Sequence, residues 1–253
     1  MSEALTQKQQ PTNYRFIGGM AFLLILLGTI IYGGVAIKRW SEDEQQAPLN
    51  EVSVSGERLY IEDVQIERLI RQSQPGSFFE LNVEQAHKDV EAMPWVYRAS
   101  VRKRWPNSLK VYVVEQTPAA HWNDDLLLNH HGETFDGASG TDKPSLLLPS
   151  LFGPGGSEQT TLEGYRAMQA LLNGTGLYID ELFLSERFAW NLKLQNGISL
   201  NLGRKEFIDR LQRFIDLYPL LMKQDKAVDY IDLRYDTGLA VGWKPPATQP
   251  QES

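Results

Sequence analysis

Histidine and carboxylate side chains are the groups in this sequence that could support acid–base catalysis or hold a metal ion. His130 and His131 are adjacent, and neighbouring strand residues point to opposite faces, so the pair could share an ion only within a turn. No H-x-x-x-H or similar ligand spacing accompanies them. Asp124 and Asp125 would need a facing carboxylate across a cleft, which no pattern here indicates. The chain has no cysteine, which excludes thiolate chemistry. We therefore predict no catalytic residue, no metal and no cofactor.

Glycine-rich stretches and overall charge also argue against several classes of ligand. Residues 153–156 (GPGG) lack the Gly-Lys-Ser/Thr of a phosphate loop, and residues 173–176 (NGTG) follow a predicted helix instead of opening one. The formal net charge of −7 disfavours nucleic-acid binding. With 42% hydrophobic and 23% charged residues, the chain has the composition of a globular protein.

Residues 16–37 (FIGGMAFLLILLGTIIYGGVAI) contain no charged side chain. A helix of this length spans roughly 33 Å, about the hydrocarbon thickness of a bilayer. A cleaved signal peptide would have a shorter apolar region of about 7–15 residues. We therefore predict a retained transmembrane helix over 16–37, a tail over 1–15 and a linker over 38–48. The flanking lysines and arginines give only a slight preference for a cytoplasmic N-terminus.

Residues 49–117 show the pattern of a small module with the order strand, helix, helix, strand, strand. Asn82 is placed to cap the second helix, and Gln85 three residues later gives a start similar to a capping box. Pro106-Asn107 predicts the turn of a closing hairpin, because apolar and polar residues alternate on both sides of it.

Residues 118–244 predict a mixed module with an antiparallel-rich sheet and helices on one face. Trp190, Leu192 and Leu194 alternate before Asn196-Gly197, for which we predict a type I′ turn. An amphipathic helix follows, and Pro219 is expected to limit its far end. The residues after Pro245 have the composition of a disordered tail.

The last strand signal lies in VDYIDLRYDTGLAVGWKPP, residues 228–246. Apolar and polar residues alternate through Tyr235, Thr237-Gly238 predicts a bulge or bend, and the alternation resumes up to Trp243. One interpretation is a final strand that closes the core. The other is a sheet edge left open for an extended partner segment, with apolar anchors on the strand and with Arg234 paired to a partner carboxylate.

The segment MPWVYRASVRKRWPNSLKVYVVEQTPAAHW (93–122) completes the strand–helix–helix–strand–strand order. That order resembles a POTRA domain, a small polypeptide-binding module. The pattern PWV..A.V...WP..L.V.V.E..P.A.W resembles, more narrowly, the FtsQ/DivIB family of bacterial cell division proteins. The resemblance covers nearly the whole chain. It implies an α+β fold with one N-terminal transmembrane helix, a POTRA domain (β-α-α-β-β) and a second part called the β domain.

The resemblance also implies partners, topology and binding residues. In the family, the strand matching RYDTGLAVGW receives a strand of FtsB, which arrives in complex with FtsL. Family members are bitopic inner-membrane scaffolds of the division septum, with a cytoplasmic N-terminus and periplasmic modules. The resemblance implies partner-binding roles for Arg234, Tyr235, Thr237, Gly238, Leu239, Gly242 and Trp243. Weaker local motifs add Arg187 and Leu217.

Two other functions remain as alternatives, and one basic cluster has an alternative role as a ligand site. A membrane-anchored periplasmic enzyme or glycan-binding protein would require convergent carboxylates or histidines in the second module. A POTRA-bearing outer-membrane assembly factor would carry a β-barrel, for which this chain has no room. The cluster RKRWP could bind anionic lipid or glycan, but the sequence favours an exposed hairpin arm whose charges discourage edge pairing.

Overall fold

The computed structural model describes residues 14–42, 48–137 and 147–245. Its first element is the helix α1 (Tyr14–Glu42), which contains the predicted span 16–37. The stretch Ile17–Trp40 is long and apolar enough to cross a membrane, and side chains such as Phe22 and Ile25 are exposed. Most of the predicted tail 1–15, part of the linker 38–48 and nearly all of the C-terminal tail lie outside the described residues.

The chain divides into two compact units. The first comprises residues 1–92 and 98–113, and the second comprises residues 93–97 and 114–253. The two long strands of the predicted hairpin therefore contribute to both units.

The first unit has the predicted order of elements. After α1 it contains β1 (Glu51–Ser55), α2 (Asp63–Ser73), α3 (Val83–Glu91), β2 (Val96–Arg104) and β3 (Ser108–Glu115). The strands form a sheet in the order β1-β3-β2, and β1 runs parallel to β3. Alternate residues of β3 are buried together with one face of each helix. This core comprises Ile66, Ile70, Ala86, Val90, Leu109, Val111 and Val113.

The start of α3 confirms Asn82 as the cap but not the full box. The Asn82 side chain accepts hydrogen bonds from the backbone N–H groups of Glu84 and Gln85, at 3.0 and 3.1 Å. The Gln85 side chain does not reach back to residue 82; it donates to Asp89 at 2.8 Å. The backbone N–H of Asn82, which a full capping box would bond to residue 85, donates instead to the Gln74 side chain at 3.1 Å.

The second unit is built on one nine-stranded sheet. Its elements are β4 (Pro118–Trp122), β5 (Leu126–Asn129), β6 (Thr134–Phe135), β7 (Ser150–Phe152), α4 (Glu158–Leu172), β8 (Ile179–Leu184), β9 (Trp190–Leu194), β10 (Ser199–Gly203), α5 (Phe207–Leu221), β11 (Val228–Asp232) and β12 (Ala240–Trp243). The strand order is β12-β11-β10-β9-β8-β7-β4-β5-β6. Most neighbours are antiparallel, but β4–β7, β7–β8 and β10–β11 are parallel.

The core of the second unit lies between this sheet and α4 and α5. Leu162 and Met168 of α4 and Phe214 of α5 pack in one cluster with inward residues of the central strands, such as Leu192 and Leu200. Along β9 the residues alternate between buried and half-buried, which matches a sheet covered by helices on one face. The predicted α+β fold class is confirmed.

Two local predictions in this unit are wrong. The residue Gly197 has a positive φ of 86°, but Asn196 is not among the residues with positive φ, so the turn is not type I′. Asn196 instead accepts a hydrogen bond from Ile198 N–H at 3.1 Å through its side chain. Pro219 lies inside α5, which continues to Leu221. A proline costs the helix the hydrogen bond of its missing N–H, but the packing of α5 on the sheet outweighs this local preference.

Candidate protein-docking edge

The end of the chain forms a hairpin at the edge of the nine-stranded sheet. β11 ends at Asp232, the turn 233–239 reverses the chain, and β12 returns antiparallel to β11. The predicted strand through Tyr235 is therefore wrong, because β11 already ends at Asp232. The bulge or bend predicted at Thr237-Gly238 is part of a turn that fully reverses the chain. Among the described residues, no strand pairs with the outer side of β12.

The hydrogen-bond register shows which backbone groups point to the open edge. Lys244 N–H donates to Ala227 C=O at 2.8 Å, toward β11. Residues of an antiparallel strand alternate between inward and outward hydrogen bonding, so Gly242 also faces β11. Val241 and Trp243 consequently direct their N–H and C=O groups away from the sheet. An extended segment could pair with these groups by strand addition.

Apolar side chains accompany this edge. Leu239 and Val241 are half-buried and pack against the core cluster. Trp243 is 37% exposed and Tyr235 in the turn is 59% exposed. Because aromatic rings supply much of the binding energy at protein interfaces, these two residues are the strongest candidate anchors.

Gly242 has a packing reason to be glycine. It pairs with Tyr230 across the hairpin, and a Cβ at position 242 would overlap the Tyr230 ring. The ring therefore lies across the backbone of the edge strand. Tyr230 itself is 47% exposed, so it adds an aromatic ring on the face of β12 opposite to the Trp243 side chain. The sequence prediction missed Tyr230, because its contact follows only from the hairpin register.

Arg213 of α5 holds the turn 233–239. Its guanidinium donates to the backbone carbonyls of Tyr235 at 2.8 Å, Asp236 at 2.9 Å and Gly238 at 3.2 Å. A planar group with several fixed donors is suited to fasten successive carbonyls. The sequence prediction also missed this residue, since nothing in the local pattern links position 213 to the turn.

Arg234 is paired within the chain. Its Nε and Nη2 atoms donate to the carboxylate of Asp232 at 2.9 and 2.6 Å, and its backbone N–H donates to the same carboxylate at 3.0 Å. The hydrogen bond from the Arg234 side chain lowers the pKa of Asp232, and burial of the carboxyl opposes the shift. Asp232 is largely buried, whereas 63% of the Arg234 side chain is exposed. The pair therefore places a cation at the surface next to Tyr235.

Arg187 and Leu217 lie on other elements, and Arg187 is at the same end of the sheet as the turn 233–239. Arg187 is exposed in the turn before β9, whose first residue, Trp190, pairs with Gly203 at the end of β10. β10 and β11 are parallel, so this turn and the turn 233–239 lie at one end of the sheet. β9 is three strands away from β12 in the sheet, so the turn that carries Arg187 is about 14 Å from β12 across the sheet. Leu217 is half-buried one helical turn after Arg213.

The candidate chemical groups do not converge. His130 C=O accepts a hydrogen bond from Arg166 at 2.8 Å, while the His131 ring stacks on Tyr97 at 4.9 Å between centroids. Within the described ranges, no group of three or more histidines, aspartates and glutamates is placed to hold a metal ion. The hairpin edge is therefore the better candidate site.

Comparison with known proteins identifies the family. The family model described as "Cell division protein FtsQ/DivIB, C-terminal" matches residues 120–234, and "POTRA domain, FtsQ-type" matches residues 47–116. Cell division protein FtsQ of Shewanella oneidensis is 42% identical over 237 residues, covering 93% of this chain and 89% of that protein. This chain belongs to the FtsQ/DivIB family. The FtsQ proteins of Escherichia coli K12 (39% over 244 residues; 94% and 87% covered) and Vibrio cholerae (36% over 231 residues; 91% and 87% covered) are similar to it as well.

FtsQ membership confirms the resemblance inferred from residues 93–122 and the POTRA order of the first unit. The match to the C-terminal FtsQ/DivIB model ends at residue 234, before most of the turn 233–239 and before β12. Six of the seven predicted edge residues, all except Arg234, lie beyond this match and therefore rest on their own geometry and on the resemblance.

Proposed function

We propose that this protein is a single-pass inner-membrane scaffold of the division septum that binds the FtsB–FtsL complex by accepting a strand of FtsB at β12. The observation that supports the proposal is the open edge, where Val241 and Trp243 direct their backbone groups outward beside exposed aromatic rings. Each new main-chain hydrogen bond contributes about 0.5–1.5 kcal/mol net, so the added strand gains affinity mainly when the rings are also buried.

The predicted site residues have distinct roles in this proposal. Leu239 packs against the core next to the edge, and Trp243 and Tyr235 are the aromatic anchors for the partner. Gly242 leaves room for the Tyr230 ring because it has no side chain. Thr237 and Gly238 shape the turn, which is exposed at Thr237 and half-buried at Gly238. The Arg234 cation faces an acidic side chain of the partner. Arg187 and Leu217 contact a second part of the partner beyond the added strand.

The proposed topology places residues 1–15 in the cytoplasm and the modules 49–117 and 118–244 in the periplasm. Residues 49–117 recruit upstream division proteins, and residues 118–244 bind the late components. Early cytoplasmic and late periplasmic division proteins are thereby linked through one chain. Because the partners share one membrane, their effective concentration is high and modest individual affinities suffice.

The test is binding of the full-length protein in nanodiscs to a fluorescent periplasmic FtsB–FtsL complex. Tyr235→Ala and Trp243→Ala are each expected to weaken binding at least tenfold, about 1.4 kcal/mol. The matched control is Tyr178→Ala, which removes another exposed ring just before β8, far from β12. Unchanged binding by both variants, or loss only in step with a lowered melting temperature, would refute the assignment.

A backbone variant separates strand addition from side-chain contact. Val241→Pro removes an outward-facing N–H that the added strand needs, while an edge strand tolerates proline. Binding should be lost with Val241→Pro and largely kept with Val241→Ala, which also shortens the side chain but retains the N–H. Equal binding by these two variants would argue for a side-chain interface without strand pairing.

A further inference from the structure

The tip of the β2–β3 hairpin is an exposed aromatic and basic surface that the proposed binding of FtsB–FtsL does not use. Trp105, in the turn between the two strands, is 72% exposed. Its ring nevertheless has a fixed base, because it packs edge-on against Phe79 and Phe78 at 5.5 and 6.1 Å between centroids. The contacts with Phe78 and Phe79 fix the position of the Trp105 ring, and the rest of the ring is exposed to solvent. The ring is therefore suited to contact another surface.

Cationic side chains lie on the two strands that lead into this turn, on both faces of the hairpin. Arg102 and Arg104 are exposed on β2, and they point to the same face because they are two residues apart on a strand. Lys110 is exposed near the start of β3. Lys103 points to the other face of β2, where its Nζ donates to Phe79 C=O at 2.9 Å and lies 5.2 Å from the Phe78 ring centroid. Acidic side chains near this turn include Glu51, opposite Ser108 in the register, and Glu80, next to Phe79. The four cations named above outnumber these two carboxylates.

The hairpin tip lies where the chain arrives from the membrane helix. Asn50 N–H donates to Asn107 C=O at 3.0 Å, which joins the entry of the first unit to the turn that carries Trp105. Between Glu42, the last residue of α1, and Asn50 the chain can span at most about 28 Å. Asn50, and with it this turn, therefore lies within about 28 Å of the end of α1.

Contacts between aromatic rings also connect the β2–β3 turn to the end of α1, where the membrane boundary is expected. Trp40, in the last turn of α1, packs against Phe79 at 5.9 Å between centroids. Phe79 is also in contact with Trp105, so the three rings form a continuous row from the end of the membrane helix to the hairpin tip. Tryptophan at the end of a membrane helix lies at the level of the lipid headgroups. Trp105 is held close to that level.

We propose that the β2–β3 turn of this protein is a membrane-binding surface, with Trp105 in the headgroup region and Arg102, Arg104 and Lys110 against the phosphates of anionic phospholipids. The occupant is the bilayer that contains α1. Each cation near an anionic surface contributes to binding, and an indole ring prefers the interface over either water or hydrocarbon. The contact would fix the orientation of the POTRA module relative to the membrane, whichever side of the membrane that is. It does not depend on the proposed binding of FtsB.

The absence of cysteine from the chain makes a direct test possible. Full-length Asn107→Cys, labelled with the fluorophore NBD, is placed in nanodiscs of phosphatidylcholine with or without phosphatidylglycerol, and quenching by a headgroup spin-labelled lipid is measured. Tyr112→Cys is the matched control, because it lies about 13 Å from the start of β3, opposite Ser55 at the far end of β1. Quenching should be strong at position 107 with phosphatidylglycerol and weak at position 112.

Substitutions in the labelled protein test the contributing residues. Arg102→Ser and Arg104→Ser should each lower the ratio of membrane-bound to free turn about fivefold, and Trp105→Ala should lower it as well. Arg68→Ser, which removes an exposed cation on α2, should have no effect. Circular dichroism and melting of each variant confirm that the fold is retained.

Three results would overturn the proposal. One is equal quenching at positions 107 and 112. Another is quenching at position 107 that depends neither on phosphatidylglycerol nor on the two arginines. The third is protection of position 107 that arises only when peptidoglycan fragments are added, which would assign the surface to glycan instead of lipid.

Discussion

Replacement of Arg213 tests whether this side chain of α5 stabilises the turn 233–239 next to β12. The guanidinium donates three hydrogen bonds of 2.8, 2.9 and 3.2 Å to carbonyls of the turn 233–239. A hydrogen bond from a charged group contributes about 1.5–3 kcal/mol, but the turn is mostly exposed and water can replace part of each bond. We therefore expect Arg213→Ala to favour opening of the turn by about 2 kcal/mol, roughly a thirtyfold increase in its open population.

The assay is hydrogen exchange of the segment 233–243, measured by mass spectrometry on the full-length protein without any partner. Exchange in this segment should accelerate in Arg213→Ala and less so in Arg213→Lys, since one ammonium cannot replace the planar donors. The melting temperature should fall only slightly, because the buried residues Leu211 and Phe214 still fix α5. Gln212→Ala is the control on the same helix, where it removes an exposed bond to Asp216. If exchange in Arg213→Ala equals that in the control, the turn is held by other contacts and the reasoning fails.

Three further predictions concern neighbouring features. Gly242→Ala should weaken partner binding because the Tyr230 ring must move, and adding Tyr230→Ala should restore part of that loss; strictly additive effects in the double variant would contradict the overlap. Because the lowered pKa of Asp232 reflects its bond to Arg234, its contribution to stability is present above about pH 4 and lost as the pH falls below that value. Thermal melts from pH 7 to pH 3 should therefore show a smaller acid-induced decrease for Asp232→Asn than for the unsubstituted protein, and parallel curves would count against this. Asn82→Ala should lower the free energy of unfolding by about 1 kcal/mol in a denaturant titration, since two helix N–H groups lose their acceptor; an unchanged midpoint would show that water caps α3 equally well.

Local patterns predicted most of the secondary structure. The cap at Asn82, the order of elements in the first unit and the alternation along β9 depend on residues within one or two turns of each other. Signals of this kind can be recognised within a short window of sequence. The prediction failed at Pro219 and at Asn196-Gly197, where tertiary packing and a side-chain hydrogen bond outweighed the local preference.

Patterns in the sequence alone are enough to recognise an apolar span, a POTRA-like module and a final apolar segment. The tertiary structure adds that this segment reverses at 233–239, that β12 is at one edge of the sheet and that the backbone groups of Val241 and Trp243 point outward. Arg213 and Tyr230 acquired their roles in the same way, through contacts with residues 12 or more positions distant. The physical reason is that strand pairing and helix docking join residues far apart in the chain, and a single sequence contains no local signal for which of the possible pairings buries the most surface.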